Sequence, residues 1–226
     1  MYLRLARLIV ELFNKGVLRG LDILTSDSCL LTSVFSRIID MPIFSKQQKA
    51  RSFFDGLSSL YDIINPIIYP GSMREELLSH VEGKRVLDFG VGTGYTTGQL
   101  PHAVGIDLSM KMMSRAIGYR GQLVRSDILK PPFKGGCFDT IISAGSFYYL
   151  PDPLEGLRSF RYLLKDGGII LFLSPNTTLS VFKPFIHIYT HQEYKNLFNE
   201  AGFTPEIVRT TAARRYICFC KARKEG

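Results

Sequence analysis

The sequence has few cysteines and no long hydrophobic run, and each absence excludes a class of protein. Its four cysteines, Cys29, Cys137, Cys218 and Cys220, form no C-x-x-C pair, so the sequence does not favour a zinc site. Nothing in their spacing predicts disulfides, which fits a reducing compartment such as the cytoplasm. No apolar run reaches the roughly 18 residues of a membrane span. Glu11 interrupts the apolar start of the chain, which argues against a signal peptide.

Acidic residues are also in the minority. The 226 residues include 28 Lys and Arg against 20 Asp and Glu, a formal net charge of +8. That excess permits an acidic partner, such as RNA or an anionic membrane surface. No run of about five or more basic residues is present, and no alternation of aromatic and basic residues indicates a strand-binding groove. We therefore expect a scattered basic surface and no nucleic-acid partner.

From about residue 83 onward, strand and helix signals alternate, which predicts an α/β fold with a mostly parallel sheet covered by helices. The predicted strands are 85–89, 103–107, 122–125, 138–143, 168–173, 204–209 and 216–221. Only a short turn separates the last two, so the final strand should be antiparallel, because a parallel crossover needs about a dozen residues. Capping boxes at 72–75 and 190–193 predict the starts of two helices.

Residues 1–70 differ from residues 71–226 in their sequence pattern, and we expect them to form a helical extension or lid before the main domain. Leucine, isoleucine, valine and phenylalanine cover most of the first helix, while Arg4, Arg7 and Lys15 lie on or beside its polar face. A basic amphipathic helix of this kind can lie in a membrane interface. Packing of this helix on its own domain or on a second copy of the chain is an equally good interpretation. The oligomeric state is therefore left open.

The stretch "VLDFGVGTGYTT" places Gly90, Gly92 and Gly94 directly after a predicted buried strand. Glycine at alternate positions allows a sharp turn with no Cβ in the way of a ligand. A dinucleotide fingerprint would have a further glycine where Tyr95 stands, and no Gly-Lys-Ser/Thr follows, so this is neither that fingerprint nor a P-loop. The spacing leaves room for another flat or charged ligand.

Three acids stand at or near the ends of successive predicted strands: Asp88, Asp107 and Asp127. Ligands of parallel sheets bind beyond the carboxyl ends of the strands, so these acids should meet the glycine loop there. Asp107 follows Gly90 by 17 positions, close to the roughly 20 expected of a ribose-binding acid. Each acid alone could instead cap a turn or helix. Together they predict a site for a nucleoside that carries hydroxyls and positive charge.

These motifs resemble the class I S-adenosylmethionine-dependent methyltransferases. "VLDFGVGTG", "VGIDLSMKMM", "VRSDILKPPF" and "FDTIISAGSFYYLPDPLEGLRSFRYLLKDGGIILFL" match the family's motifs in order. The resemblance covers residues 50–222. It implies an enzyme with a Rossmann-like, seven-stranded sheet, an antiparallel last strand and S-adenosylmethionine as cofactor. A trimmed helix after Gly94 would be a departure from the family pattern.

The resemblance also implies a role for each residue of the cofactor site. Gly90, Gly92 and Gly94 would let the backbone approach the methionyl part, and Asp88 would help to hold its amino end. Asp107 would accept from the ribose hydroxyls, and Asp127 from the adenine amino group. Two apolar side chains would lie against the adenine ring: Met112 and Ile128.

The methyl acceptor is predicted from a second resemblance. "FFDGLSSLYDIINPIIYPGSMREEL" is similar to the segment before the first motif in the ubiquinone/menaquinone-biosynthesis C-methyltransferases. That group's motif after the fourth strand is replaced here by "AGSFYYLPD". We expect a small lipophilic acceptor, quinol-like or lipid-like, reached at or near a membrane. A protein or RNA methyltransferase is the alternative, and a non-catalytic binding protein of the same fold is a third hypothesis.

Two tyrosines are the catalytic candidates. Tyr61, in the lid segment, would face the cleft, and Tyr148 follows the fourth strand where the family lines its acceptor pocket; helix packing is the competing interpretation for both. Of the pair Tyr148 and Tyr149, at least one should face the cleft. His187 and His191 are one helical turn apart but have no third partner in sequence, so no metal site is predicted.

Overall fold

The computed structural model describes residues 51, 54–55, 58, 61–62, 65–66, 68–182 and 186–226, with the backbone alone described for 180–182. The seven predicted strands are present: β1 Val86–Phe89, β2 Ala103–Asp107, β3 Gln122–Arg125, β4 Phe138–Ala144, β5 Leu164–Pro175, β6 Phe203–Thr210 and β7 Ile217–Lys224. Among the described residues, the helix α1 Gly71–Ser79 precedes β1, and three α-helices lie between strands: α2 Met110–Met113, α3 Pro153–Leu163 and α4 His191–Glu200.

The strands form one sheet in the order β3-β2-β1-β4-β5-β7-β6. β1, β2, β3, β4 and β5 pair in parallel, while β7 is antiparallel to both β5 and β6. The strand order reverses between β1 and β4, the place where parallel sheets bind ligands. The predicted Rossmann-like sheet with an antiparallel last strand is therefore confirmed.

Alternating side chains along the strands build two hydrophobic layers, one on each face of the sheet. Leu87, Ile141 and Phe172 lie in the layer that contains Phe160 of α3 and Phe198 of α4. Their neighbours Val86, Ile142 and Leu171 lie in the layer that contains Met73 and Leu77 of α1. Helices thus cover both faces, as predicted.

The helix boundaries depart from the sequence prediction in two places. The box at Thr190 is confirmed, because its side chain and that of Glu193 cap each other's backbone at the start of α4. The box at Ser72 is wrong: α1 begins one residue earlier, at Gly71, after Pro70, which has no side-chain cap. Proline fixes its own φ near the helical value and so can precede a helix without a capping oxygen.

The connections on the β2–β3 side of the sheet are short. After Gly94 the chain makes only turns before β2, so the helix expected there is reduced further than predicted. The described residues 126–137 join β3 to β4 without a helix. β5 begins at Leu164, four residues before the predicted strand 168–173, and its register with β4 shifts between Leu164 and Ile169. In the described part of the chain, every helix is too short or too polar to span a bilayer.

Residues 1–50, which hold the predicted amphipathic helix and most of the predicted extension, lie outside the described residues. The residues that are described between 51 and 66 have helical backbone. The division into a lid at 1–70 and a main domain at 71–226 stays a prediction.

Candidate functional site

The glycine loop leaves β1 and is tied to β2 by its own backbone. The amides of Gly90 and Val91 both donate to the carbonyl oxygen of Ile106, at 2.9 and 3.0 Å. Gly90 has a φ of 70°, and a Cβ there would lie 2.3 Å from the Cβ of Ser146. The turn after β1 therefore needs glycine both for its left-handed backbone and for its close approach to the loop after β4.

Asp107 ends β2 and faces this loop. One of its carboxylate oxygens accepts from the Gly92 amide at 2.9 Å, and the other accepts from the Ser109 amide at 2.8 Å. Burial raises the pKa of Asp107, and the hydrogen bonds from Ser109 and Gly92 oppose that rise. Each carboxylate oxygen retains lone-pair capacity for one further donor. The two oxygens together match the two hydroxyls of a ribose diol.

The third strand adds an acid and an apolar surface to the same place. The Asp127 carboxylate accepts from the Leu129 amide at 3.0 Å. Ile128 beside it is buried. From α2, the methyl carbon of Met112 comes within 3.3 Å of the position that a Cβ on Gly92 would occupy. An apolar slot bounded by Met112 and Ile128, with Asp127 at its edge, suits a flat ring that carries a donor.

These elements enclose one cavity of about 760 Å³ of empty space, including its open mouth. Seven of the ten predicted site residues line it: Tyr61, Gly90, Gly92, Asp107, Met112, Asp127 and Ile128. Arg51, Phe54 and Tyr149 complete the wall on the side of the segment before α1 and of the loop after β4.

Two predicted cofactor residues lie behind the glycine loop rather than in the cavity. Asp88 is 1% exposed and accepts a 2.6 Å hydrogen bond from the Thr97 hydroxyl, which also lies 2.9 Å from the hydroxyl of Tyr119. Burial raises the pKa of Asp88 to about 7. Gly94 packs against Tyr119, whose ring would be 2.8 Å from a Cβ at that position. Asp88 and Gly94 therefore support the glycine loop from the side that faces away from the cavity.

The third predicted residue outside the cavity is Tyr148. Its hydroxyl lies 3.2 Å from that of Tyr69, and both side chains are buried. The neighbouring Tyr149 lines the cavity instead. The sequence indicated that one of the two would face the cleft, but the choice depends on the 3₁₀ turn Phe147–Tyr149, which the local pattern does not reveal.

Aromatic side chains form one wall of the cavity. The Phe54 ring meets Tyr149 edge-on at 5.1 Å between centroids and Tyr61 at 5.9 Å. Burial raises the pKa of Tyr61 and of Tyr149 well above the ordinary tyrosine value. Both side chains are therefore neutral near pH 7, and the hydroxyl of Tyr149 is hydrogen-bonded with that of Tyr148. Edge-on aromatic contacts of this kind fix ring orientation as well as exclude water.

The segment before α1 is fastened across the cavity to the region of α2. The Ser109 hydroxyl donates a short hydrogen bond to Asp55, whose other oxygen lies 3.7 Å from Arg51. Further along, the Arg115 guanidinium donates twice to Asp62, at 2.8 and 3.0 Å. Asp55 and Asp62 thus anchor this segment. The aromatic residue that precedes each of them, Phe54 or Tyr61, lines the cavity.

The two histidines considered for a metal have separate surroundings. His187 stacks on Tyr189, and the His191 ring lies 3.3 Å from the Thr210 hydroxyl. In the described part of the chain, no three His, Cys, Asp or Glu side chains come together as a metal site.

The cavity fits the group that the sequence motifs imply. Its cradle has glycines where a Cβ would clash, a carboxylate with capacity for a diol, an apolar slot for a flat ring and an aromatic wall. Aromatic faces attract a positive charge through the ring quadrupole. A nucleoside with a sulfonium centre meets all four of these features.

Comparisons with known proteins agree with this fit. A sequence family described as a methyltransferase domain matches residues 87–172. The chain is 28% identical to 2-methyl-6-phytyl-1,4-hydroquinone methyltransferase 1 of Oryza sativa subsp. japonica, over 92% of this chain and 69% of that protein. It is 27% identical to the demethylmenaquinone methyltransferase of Staphylococcus epidermidis, over 74% of this chain and 89% of that protein.

The chain spans only 54–61% of three further plant relatives whose names carry the same hydroquinone activity. Among solved structures, a SAM-dependent methyltransferase of Thermotoga maritima superposes with a TM-score of 0.65 at 16% identity, covering 77% of this chain and 99% of that one. That likeness concerns the fold alone.

Proposed function

Because the chain belongs to the S-adenosylmethionine-dependent methyltransferases, we propose that it methylates a small lipophilic phenol of the quinol class. The relatives in rice and Staphylococcus carry hydroquinone and demethylmenaquinone in their names. The observation that carries the proposal is the aromatic wall of Phe54, Tyr61 and Tyr149, which gives the cavity an apolar, ring-shaped boundary beside the cofactor cradle.

Cofactor binding is assigned to the cradle residues. When bound, S-adenosylmethionine supplies a methyl group on a positively charged sulfur, already activated for in-line displacement. Asp107 would hold the ribose diol, Asp127 the adenine amino group, and Met112 and Ile128 the faces of the ring. Asp88 and Gly94 would act indirectly, by supporting the loop that carries Gly90 and Gly92.

The protein's part in the transfer is alignment and exclusion of water. The wall residues hold an aromatic acceptor against the cradle. The neutral hydroxyl of Tyr61 can donate a hydrogen bond to a phenolic oxygen of the acceptor, which stabilises negative charge shared between that oxygen and the ring carbons. Tyr148 would position Tyr149, whose ring centroid lies 4.4 Å from its own. A ring carbon that gains the methyl group would lose its proton to water at the open mouth of the cavity.

The proposal includes a place of action. A lipophilic quinol dissolves in membranes, so we infer peripheral contact with a membrane from the cytoplasmic side. The basic, apolar first helix predicted from the sequence supports that contact. The described cysteines, Cys137, Cys218 and Cys220, are all free thiols, which supports a reducing compartment.

The test follows the methyl label. The protein is incubated with S-adenosylmethionine labelled in the methyl group and with a cell extract separated into lipid, protein, RNA and small polar fractions. The proposal predicts label in the lipid fraction and its loss in the Asp107→Ala protein. Label confined to protein or RNA would favour the alternative acceptors, and RNA binding that weakens steeply with salt would support the RNA case.

A further inference from the structure

Residues 110–125, here called the 110–125 segment, form a strongly basic stretch beside the cofactor cavity. The segment contains no acidic residue, and the nearest acidic residues along the chain are Asp107 before it and Asp127 after it. Its charged side chains are all cationic and all exposed: Lys111, Arg115, Arg120 and Arg125. Arg115 pairs with Asp62, and Arg125 donates to the Leu108 carbonyl oxygen. The pairing with Asp62 offsets the charge of Arg115, whereas Lys111 and Arg120 have no ion pair among the described residues and present positive charge to solvent.

The same segment carries most of the exposed apolar side chains in the described part of the molecule. Ile117 is 93% exposed, Met110 52% and Leu123 37%. The fourth large hydrophobic side chain that is exposed among the described residues is Tyr162, on α3. Single exposed apolar residues are ordinary, but three in one short basic stretch mark an interaction surface.

A buried frame holds these side chains outward. Met112, Met113 and Ala116 are at most 8% exposed and pack inward between the exposed residues. The Tyr119 hydroxyl contacts Thr97, and the Arg120 amide donates to the carbonyl oxygen of Gly98 at 2.9 Å. The segment then continues into β3, the strand at the end of the sheet. Because the inward positions are filled, Ile117 and its exposed neighbours have no pocket in which to fold back.

We propose that the 110–125 segment docks the protein on an anionic lipid surface. Basic side chains are attracted to anionic headgroups, each strengthening binding about fivefold near the surface, and exposed apolar side chains enter the interface between headgroups and acyl chains. RNA fits less well, because the segment's one aromatic ring, Tyr119, is half-buried and single strands bind by stacking on exposed rings.

The position of the segment gives the contact a purpose. Met110 and Lys111 lie on the same short helix as Met112, which lines the cofactor cavity. Docking through this helix would bring the cavity to the membrane. The inference rests on the proposed function in one respect, since a membrane-dissolved acceptor is what gives this orientation its use.

The experiment compares two triple variants of the full-length chain. The first, Lys111→Glu/Ile117→Ser/Arg120→Glu, changes the segment. The second, Arg158→Glu/Tyr162→Ser/Lys195→Glu, makes the same changes of charge and apolar surface at exposed positions of α3 and α4. Each is sedimented with vesicles of phosphatidylcholine alone and of phosphatidylcholine with phosphatidylglycerol, without any methyl acceptor.

Wild-type and control proteins should bind the anionic vesicles but not the neutral ones. The segment variant should bind the anionic vesicles at least about tenfold more weakly than the wild type. Equal binding of the two variants to anionic vesicles, or no binding of these vesicles by the wild type, overturns the proposal. A segment variant that loses only RNA binding and keeps its vesicle binding overturns it as well. Methyl transfer in detergent, without vesicles, should be unchanged in both variants. That readout reports on the proposed function separately, so failure of one is distinguishable from failure of the other.

Discussion

The carboxylate of Asp107 accepts a hydrogen bond of 2.9 Å from the amide of Gly92. The two residues come from different segments, the end of β2 and the loop after β1, and this bond joins the carboxyl ends of these two neighbouring strands, beside the point between β1 and β4 where the strand order reverses. The diol-binding acid and the glycine cradle are thus set relative to each other before any ligand arrives. A preformed site of this kind loses less conformational freedom on binding.

Replacement of Asp107 by alanine should weaken S-adenosylmethionine binding by about 1–3 kcal/mol, because the hydrogen bonds to the ribose hydroxyls are lost. Isothermal titration measures the change. Asp166→Ala removes an acid that is 84% exposed and should leave the affinity unaltered. A similar loss in both proteins would mean that the acid's charge, and not its contact with the ligand, was being measured.

Gly90 and Gly118 separate backbone strain from crowding. Both have positive φ, 70° and 77°, but a Cβ at Gly118 meets nothing within 4 Å, while one at Gly90 runs into Ser146. Alanine at Gly118 should cost about 1 kcal/mol of unfolding free energy from strain alone. Alanine at Gly90 should cost clearly more and should also weaken cofactor binding. Urea unfolding and titration of both proteins check this, and equal effects would contradict it.

Asp88 should make stability depend on pH. Its pKa is raised from 3.8 to about 7 in the folded state, so the folded protein holds this proton more tightly than the unfolded chain. The contribution of Asp88 is fully present below about pH 4 and declines as pH rises to about 7, by at most about 1.4 kcal/mol per pH unit.

Asparagine at position 88 cannot ionise and still offers an oxygen to Thr97. The Asp88→Asn protein should therefore lose less unfolding free energy than the wild type between pH 5 and pH 7.5, measured in urea. Asp166→Asn is the control and should follow the wild-type curve. Parallel curves for wild type and Asp88→Asn would refute the assignment.

The pair of Asp62 and Arg115 should act on ligand exchange more than on stability. Both side chains are about 40% exposed, so their pairing contributes at most about 1 kcal/mol. Arg115→Gln should release bound S-adenosylmethionine about twofold to fivefold faster, in stopped-flow displacement, because the segment before α1 loses one of its anchors across the cavity. Lys165→Gln breaks a comparable exposed pair with Asp139 and should leave the release rate unchanged. A double-mutant cycle with Asp62→Asn would show whether the effect belongs to the pair.

Local sequence pattern predicted the strands well because their signals are local. The predicted strands 85–89 and 216–221 lie within a few residues of the observed strands Val86–Phe89 and Ile217–Lys224. The predicted strand 168–173 omits the start of β5, because two adjacent glycines such as Gly167 and Gly168 are typical of a turn. In the structure both lie within β5, where its register with β4 is irregular. Pairing with β4, a tertiary effect, decides that case.

Seven of the ten predicted site residues line the cavity, and the other three, Asp88, Gly94 and Tyr148, lie outside it. Strand ends placed Asp107 and Asp127 at the cavity, but the sequence does not show that Thr97 and Tyr119 draw Asp88 beneath the loop. Nor does it show which of two adjacent tyrosines turns inward. Such choices depend on contacts between residues far apart in the chain, which a single sequence does not reveal.

The account depends most directly on methyl transfer to a quinol. The measurement is incubation of the full-length protein with S-adenosylmethionine and a reduced, isoprenoid-substituted quinol in detergent micelles, with mass spectrometry of the extracted product. The account predicts one added methyl group on a ring carbon and none with Asp107→Ala. An unmodified quinol, in the presence of a protein that binds S-adenosylmethionine and methylates RNA or protein instead, would contradict it.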